Sequence, residues 1–256
     1  MYRYIFKLLA VILIIVNCKD FPRDNVLDPK NPNSYQSSVV LLEAFVNTNN
    51  PFTYNQWALE ALDSIKSIYG LNVVIADYHR DTQEFTDPYS NTLIFEPLYG
   101  KYVQNSIPNV KGVPDVFING AAHRVQGASS INSVMTRLNS ILSELVVDNN
   151  YFTLEAGGIH ISGTQLTMSC KVARLGDRSS GNLSLRAILL QQINSRELKR
   201  VAMDIARADN ISSLDPGEIR TINFDPVEIS QIPDWIIFSL TSADELTVYQ
   251  NIKVNL

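Results

Sequence analysis

The sequence predicts an α/β domain, residues 38–149, followed by an all-β domain, residues 150–256. From Val39 to Val147, strand-like apolar runs alternate with amphipathic helix patterns, whereas only short strand-like runs follow Tyr151. A change of this kind is typical of a domain boundary. The chain has 256 residues and 45% hydrophobic composition, which is enough for two modest hydrophobic cores.

The first predicted domain alternates strands with helices. Residues 39–45 and 71–78 are nearly continuous apolar runs, as expected of strands buried on both faces of a sheet. Residues 55–69 have apolar side chains at helical spacing, and Gly70 supplies a C-terminal stop. We further expect a short helix in residues 93–104, strands at 115–119 and 123–127, and a helix capped by Ser129 or Ser130 that ends near Leu145.

The second predicted domain consists of short strands separated by turn-rich stretches such as GDRSSGN and SSLDPGE. Apolar and polar residues alternate in several of these strands, so that Arg186 falls on the face opposite Leu185 and Ala187. The number and spacing of the strands suggest a two-sheet, immunoglobulin-like sandwich.

The N-terminus has the pattern of a signal peptide, residues 1–17. Arg3 and Lys7 precede nine apolar residues, 8–16, which reach only about 13 Å as a helix and fall short of the ~30 Å core of a membrane. Cys18 follows Asn17 and resembles the lipid-accepting cysteine of bacterial lipoproteins; an ordinary secretory signal with an incidental cysteine is the alternative. We expect residues 18–37, which contain Pro22, Pro29 and Pro32, to form a largely disordered tether to the membrane.

The charge balance argues against a nucleic-acid partner. Removal of residues 1–17 deletes two basic residues from the 21 present and leaves 26 acidic ones, a formal charge of 19 − 26 = −7. The sequence predicts no metal site and no cofactor, because His79, His123 and His160 lie in different elements. We expect His79 to face solvent and residues 81–87 (DTQEFTD) to form a solvated loop.

Two stretches resemble the thioredoxin family. One is VVLLEAF, residues 39–45, followed by a loop and an amphipathic helix, where the family has its redox-active turn; the other is KGVPDVFING, residues 111–120. The second is similar to the segment holding the family's cis-proline, which implies that Val113 and Pro114 form a peptide-binding edge beside the turn. An ordinary trans bond before a strand is the alternative at this position.

A further resemblance covers most of the mature chain. Before the all-β half, the chain contains four stretches in the order LDPKNPN, VLLEAF, ADYH and GVPDVFING. Together these stretches resemble the thioredoxin-like lipoproteins grouped with the twenty-eight-kilodalton outer-membrane protein family of Bacteroidetes. The resemblance implies lipidation at Cys18 and attachment to the cell outer membrane, facing the periplasm or the exterior.

Redox-active members of that family have two cysteines in the turn, and their positions correspond to Asn50 and Thr53 here. Neither residue can replace a thiolate in disulfide exchange. We therefore expect no catalytic residue and a protein- or peptide-binding or structural role. The alternatives are a thiol-disulfide oxidoreductase or thiol carrier that uses Cys170, and an adhesin or complex subunit in which the sandwich binds. Strand alternation predicts that Cys170 is buried.

Overall fold

The computed structural model describes residues 23–193 and 199–256, so the predicted signal peptide and Cys18 lie outside the described residues. The structure is mixed α/β and rich in strands. The helices in these ranges are α1 (Tyr54–Tyr69), α2 (Thr92–Gln104) and α3 (Ile131–Leu145). The strands are β1 (Gln36–Ser37), β2 (Val40–Val46), β3 (Val73–His79), β4 (Asp115–Ile118), β5 (His123–Gln126), β6 (Asn149–Asn150), β7 (Phe152–Ser162), β8 (Gln165–Arg174), β9 (Leu183–Gln191), β10 (Val201–Ile211), β11 (Ile219–Asn223), β12 (Val227–Glu228), β13 (Trp235–Ser242) and β14 (Val248–Asn255).

The helices and strands predicted for the first half are present. Strands β2 and β3 are parallel and connected through α1, β4 is antiparallel to β2, and β5 is antiparallel to β4. Helix α1 ends at Gly70, which adopts a positive φ of 55° that a glycine tolerates without steric cost. Helix α3 begins after Ser130, whose side chain accepts a hydrogen bond from the Ser133 N–H.

One eight-stranded sheet runs through both halves of the chain, in the order β14-β13-β9-β10-β3-β2-β4-β5. The halves join where β10 lies parallel to β3, with Val201 opposite Asp77. The two predicted domains, residues 38–149 and 150–256, therefore share one sheet. The outer edge of β3 would expose unpaired backbone groups, and β10 covers part of that edge.

The second sheet lies wholly in the C-terminal half. It consists of β7, β8, β11 and β12, which pair around β8. This sheet packs against β9 and β13 through a core that includes Met168, Cys170 and Phe238. The C-terminal half is thus layered, but one of its layers is the sheet that continues into the first half.

Two further cores cover the faces of the N-terminal part of the large sheet. Helices α1 and α3 cover one face, where Leu62 and Leu138 pack against Leu42. Helix α2 covers the other face, where its Tyr102 packs in a cluster with Phe45 and Ile188. Because Phe45 and Ile188 belong to different halves of the chain, this second core also joins the halves.

Residues 23–37 are ordered, contrary to the expectation of a largely disordered tether at residues 18–37. The Ser34 hydroxyl accepts a hydrogen bond from the Gly176 N–H at 2.7 Å, and Gln36 Nε2 donates to the Phe152 carbonyl at 2.5 Å. Strand β1 pairs with β6. Polar side chains and backbone groups of this segment form hydrogen bonds with the C-terminal half. Composition and proline content do not reveal these long-range hydrogen bonds. No helix in the described parts of the chain is long and apolar enough to cross a membrane.

Candidate functional site

The candidate site is the polar turn between β2 and α1, residues 47–53, which is held rigidly by Asn47. The fully buried Asn47 accepts hydrogen bonds at Oδ1 from the backbone N–H groups of Asn49 and Asn50, at 3.0 and 2.9 Å. Its Nδ2 donates to the carbonyls of Arg80 and Phe85, at 2.9 and 2.7 Å. One buried amide therefore fixes the turn and ties it to the loop that follows β3.

A buried pair, His79 and Asp87, supports the same turn. His79 Nδ1 lies 3.1 Å from Asp87 Oδ2, and both side chains are completely buried. Asp87 Oδ2 also accepts hydrogen bonds from the N–H and hydroxyl of Thr48, at 2.7 and 3.0 Å. Burial by itself raises the pKa of Asp87, but the hydrogen bonds from His79, Tyr89 and Thr48 outweigh burial and lower it.

The expectation of a solvent-facing His79 was therefore wrong. Residues 81–87 form a loop with Gln83, Glu84 and Thr86 exposed, as expected, but its Asp87 is buried. The sequence signal that could have found this pair is a histidine at the end of a buried strand, followed eight residues later by an aspartate. That spacing alone does not show that the loop folds back onto the strand.

Asn50 and Thr53 both lie in the turn, and Thr53 is the residue directly before α1. Asn50 Oδ1 accepts a hydrogen bond from the Phe52 N–H at 3.0 Å, and the Thr53 carbonyl accepts one from the Trp57 N–H at 2.9 Å. The Thr53 side chain makes no capping hydrogen bond to the helix. Neither residue offers a sulfur atom or a base-activated nucleophile.

A cleft of about 420 Å³ opens beside the turn. The turn residues Thr48, Asn50 and Phe52 line it, and so do Asn55, Gln56, Glu60, Asp63 and Lys199. Asp63 accepts hydrogen bonds from Lys199 Nζ at 2.6 Å and from Arg200 Nη1 at 2.5 Å. Arg200 Nε also lies 3.2 Å from Asp77 Oδ2, so both cations are paired with carboxylates of the protein.

The peptide bond between Val113 and Pro114 is cis. This bond lies just before β4. In the antiparallel pairing of β2 with β4, Phe45 and Asp115 are the last residues that lie opposite each other. The cis bond is therefore next to the end of β2 where the turn begins. Pro114 is buried and its carbonyl accepts a hydrogen bond from Gly127 N–H at 2.8 Å, whereas Val113 is partly exposed. Within the described ranges, no hydrogen bond joins Asn50 or Thr53 to Val113 or Pro114.

Cys170 is completely buried in the core between the two sheets, as the strand alternation predicts. Burial raises the pKa of its thiol to about 12, so the thiol is neutral and unreactive at physiological pH. Cys18, the other cysteine of the chain, lies outside the described residues.

Sequence reasoning missed a buried ionic network between the halves. Arg186 is fully buried, although the alternation had placed it opposite the apolar face, and its Nη1 lies 3.3 Å from Glu43 Oε1. Glu43 also accepts hydrogen bonds from the hydroxyls of Tyr102 at 2.8 Å and Tyr78 at 3.1 Å. A glutamate inside the apolar run VLLEAF is the signal that could have suggested a buried partner of opposite charge.

Residues 23–193 and 199–256 contain no group of three or more His, Cys, Asp or Glu side chains placed to hold a metal ion. No protein-family model matches the chain, and no curated protein matches it significantly in sequence.

Two solved structures are similar to the chain over most of its length. One is a protein of Agrobacterium tumefaciens, with 14% identity and a TM-score of 0.55, covering 86% of this chain and 95% of that one. The other is HBP35 of Porphyromonas gingivalis, with 11% identity and a TM-score of 0.58, covering 86% of this chain and 76% of that one. At such identities the similarity concerns the fold alone, and it extends across both halves of the chain.

Proposed function

We propose that this protein is a lipid-anchored protein of the bacterial cell envelope in which a redox-inactive, thioredoxin-like unit and a β-sandwich act as a protein- or peptide-binding or structural module. The observation that carries the proposal is the chemistry of the turn before α1. The turn is fixed by hydrogen bonds, and it has Asn50 and Thr53 at the two positions where the resemblance to redox-active relatives implies thiols.

The topology of the first half supports the thioredoxin-like assignment. A parallel pair, β2 and β3, is followed by the antiparallel strands β4 and β5 on the β2 side, with helices on both faces. The cis bond before Pro114 lies at the end of the sheet where the turn begins. The similarity in fold to HBP35 of Porphyromonas gingivalis is compatible with a Bacteroidetes lineage.

The segment before β4 favours backbone recognition of an extended peptide. Among the described residues, the N–H and C=O groups of Val113 form no hydrogen bond. Exposed backbone groups of this kind pair with an added strand, which supplies affinity without a reaction. The partner would reach this edge beside the turn.

The lipid anchor is proposed from the sequence pattern that places Cys18 directly after an apolar run of nine residues and Asn17. Dual or triple acylation would hold the protein on the membrane stably. The ordered segment 23–37 joins the body through β1, which pairs with β6, and β2 then leads from that region to the turn.

A thiol carrier that uses Cys170 is the alternative, and it requires an accessible sulfur atom. The burial of Cys170 does not favour it. An insulin-reduction assay with dithiothreitol distinguishes the two functions, with an active thioredoxin as the positive control. We expect no turnover above the dithiothreitol background; turnover that Cys170→Ser abolishes would overturn the non-enzymatic proposal.

A further inference from the structure

We propose that the cleft beside the turn binds the ring of a neutral sugar, with Phe52 as the stacking surface. This ligand site goes beyond the peptide edge at Val113, which does not line the cleft. The evidence consists of an aromatic pair beside the cleft, the mixed polar lining of its walls and the rigidity of its rim.

Exposed aromatic rings mark the mouth of the cleft. Phe52 is 52% exposed and Tyr54 is 39% exposed, and their rings stack with centroids 5.3 Å apart and planes 24° apart. Tyr54 thus supports one face of the Phe52 ring, while Phe52 lines the cleft. The C–H groups on one face of a pyranose ring pack well on such an aromatic surface, and two stacked rings hold that surface in a fixed orientation.

The polar groups of the cleft suit the hydroxyl groups of a sugar. Asp63 is paired with Lys199 and Arg200, and Arg200 also contacts Asp77 Oδ2 at 3.2 Å, so both cations are paired with carboxylates of the protein. The Thr48 hydroxyl donates to Asp87 and Gln56 Nε2 donates to Glu60. Among the described residues, this leaves Asn50 Nδ2 as a donor and Gln56 Oε1 as an acceptor at the same cleft. A sugar hydroxyl also donates and accepts, so it matches a mixed lining without bringing a charge into it.

The floor of the cleft retains hydrogen-bonding capacity. Asn55 is only 2% exposed, and its Oδ1 accepts a hydrogen bond from the Asn47 N–H at 3.2 Å. Its Nδ2 has no hydrogen-bond partner among the described residues. A buried donor of this kind gains free energy when an acceptor reaches it.

The rim is organised before any ligand arrives. Asn47 and Asp87 fix the backbone of Thr48, Asn49 and Asn50 through the hydrogen bonds described above. Little conformational entropy is therefore lost on binding. The volume of about 420 Å³ lies in the usual range of small-ligand sites and accommodates one or two sugar rings.

Trp57 provides an intrinsic reporter, because its ring lies 6.4 Å from that of Tyr54. The purified full-length Trp235→Phe variant, in which Trp57 is the remaining tryptophan, is titrated with methyl β-glucopyranoside, methyl β-galactopyranoside, maltose and cellobiose. Calorimetry is run in parallel. We expect saturable binding of at least one of these sugars, and we expect Phe52→Ala to weaken it by about tenfold or more.

The control is Leu93→Ala, which removes an apolar side chain that is 89% exposed and lies outside the cleft, and which leaves sugar affinity unchanged. Glu60→Gln gives a second test of the same cleft in case Phe52→Ala alters the turn; circular dichroism and urea unfolding verify both folds.

The absence of saturable binding by all four sugars, or binding that neither cleft variant weakens, would overturn the proposal. Binding of reduced insulin B chain that depends on Phe52, without any sugar binding, would assign the cleft to peptides instead. The insulin-reduction assay involves no sugar, so its outcome is independent of this one.

Discussion

Glu43 on β2 and Arg186 on β9 form an ion pair of 3.3 Å in which both side chains are completely buried. The pair joins the two halves of the chain at the centre of the fold. Burial lowers the pKa of Arg186, but the carboxylate of Glu43 outweighs burial and raises it, so the guanidinium stays charged. The hydroxyls of Tyr78 and Tyr102 complete the hydrogen bonding of the carboxylate.

Removal of one partner of this pair should be strongly destabilising. Glu43→Gln leaves the Arg186 charge buried without a carboxylate, and we expect a loss of about 3–5 kcal/mol in the free energy of unfolding, measured by urea denaturation. Replacing both residues, as Glu43→Gln with Arg186→Met, should recover part of that loss.

The control is Glu155→Gln, because Glu155 and its partner Lys171 are 70% and 49% exposed. This substitution should change the free energy of unfolding by at most about 1 kcal/mol. Equal effects of Glu43→Gln and Glu155→Gln would contradict the assigned role of the buried pair.

Two cysteines placed in the turn should restore thiol chemistry. In the double variant Asn50→Cys with Thr53→Cys, two residues separate the thiols just before the N-terminus of α1, where the helix lowers a thiol pKa. We expect a disulfide that forms in oxidised glutathione and a gain of insulin reduction over the wild type. The single variants serve as controls and should show neither. Two thiols that stay free under oxidising conditions would count against a thioredoxin-like turn.

Cys170 should be protected from labelling in the folded protein. Burial raises its pKa to about 12, so at neutral pH the sulfur is both inaccessible and protonated. In a Cys18→Ser variant, which removes the other thiol, we expect maleimide to react only after unfolding in urea, as followed by mass spectrometry. Rapid labelling of the folded protein would revive the thiol-carrier alternative.

Asp87 should contribute a pH-dependent part of the stability. Its pKa is lower in the folded protein than in the unfolded chain, so its contribution is present above the unfolded value of about 3.9 and is lost as the pH falls through the folded value. The difference in unfolding free energy between the wild type and Asp87→Asn should therefore be largest near neutral pH and shrink below about pH 4. We expect faster amide exchange at Thr48 in the same variant, because its N–H loses a charged acceptor.

The control for this experiment is Asp24→Asn, at an exposed position. It should show neither the pH-dependent difference nor the change in amide exchange. A constant difference between the wild type and Asp87→Asn from pH 7 to low pH would show that the carboxylate is not the source of the effect.

The sequence by itself determined the elements of the fold. Apolar runs and helical spacing predicted β2, β3, α1 and α3 because burial imposes these periodicities locally. Alternation likewise predicted the burial of Cys170, and the residue types at positions 50 and 53 exclude dithiol chemistry in the turn.

Tertiary structure alone decided what brings these elements together. Three contacts depend on which segments the fold brings together: the pairing of β10 with β3, the ion pair of Glu43 with Arg186, and the contact of His79 with Asp87. A charged residue in an apolar run shows that a partner is needed, but not which one. Contacts between segments far apart in the sequence pair the buried charges and cover the exposed strand edges. No local sequence pattern specifies which segments make these contacts.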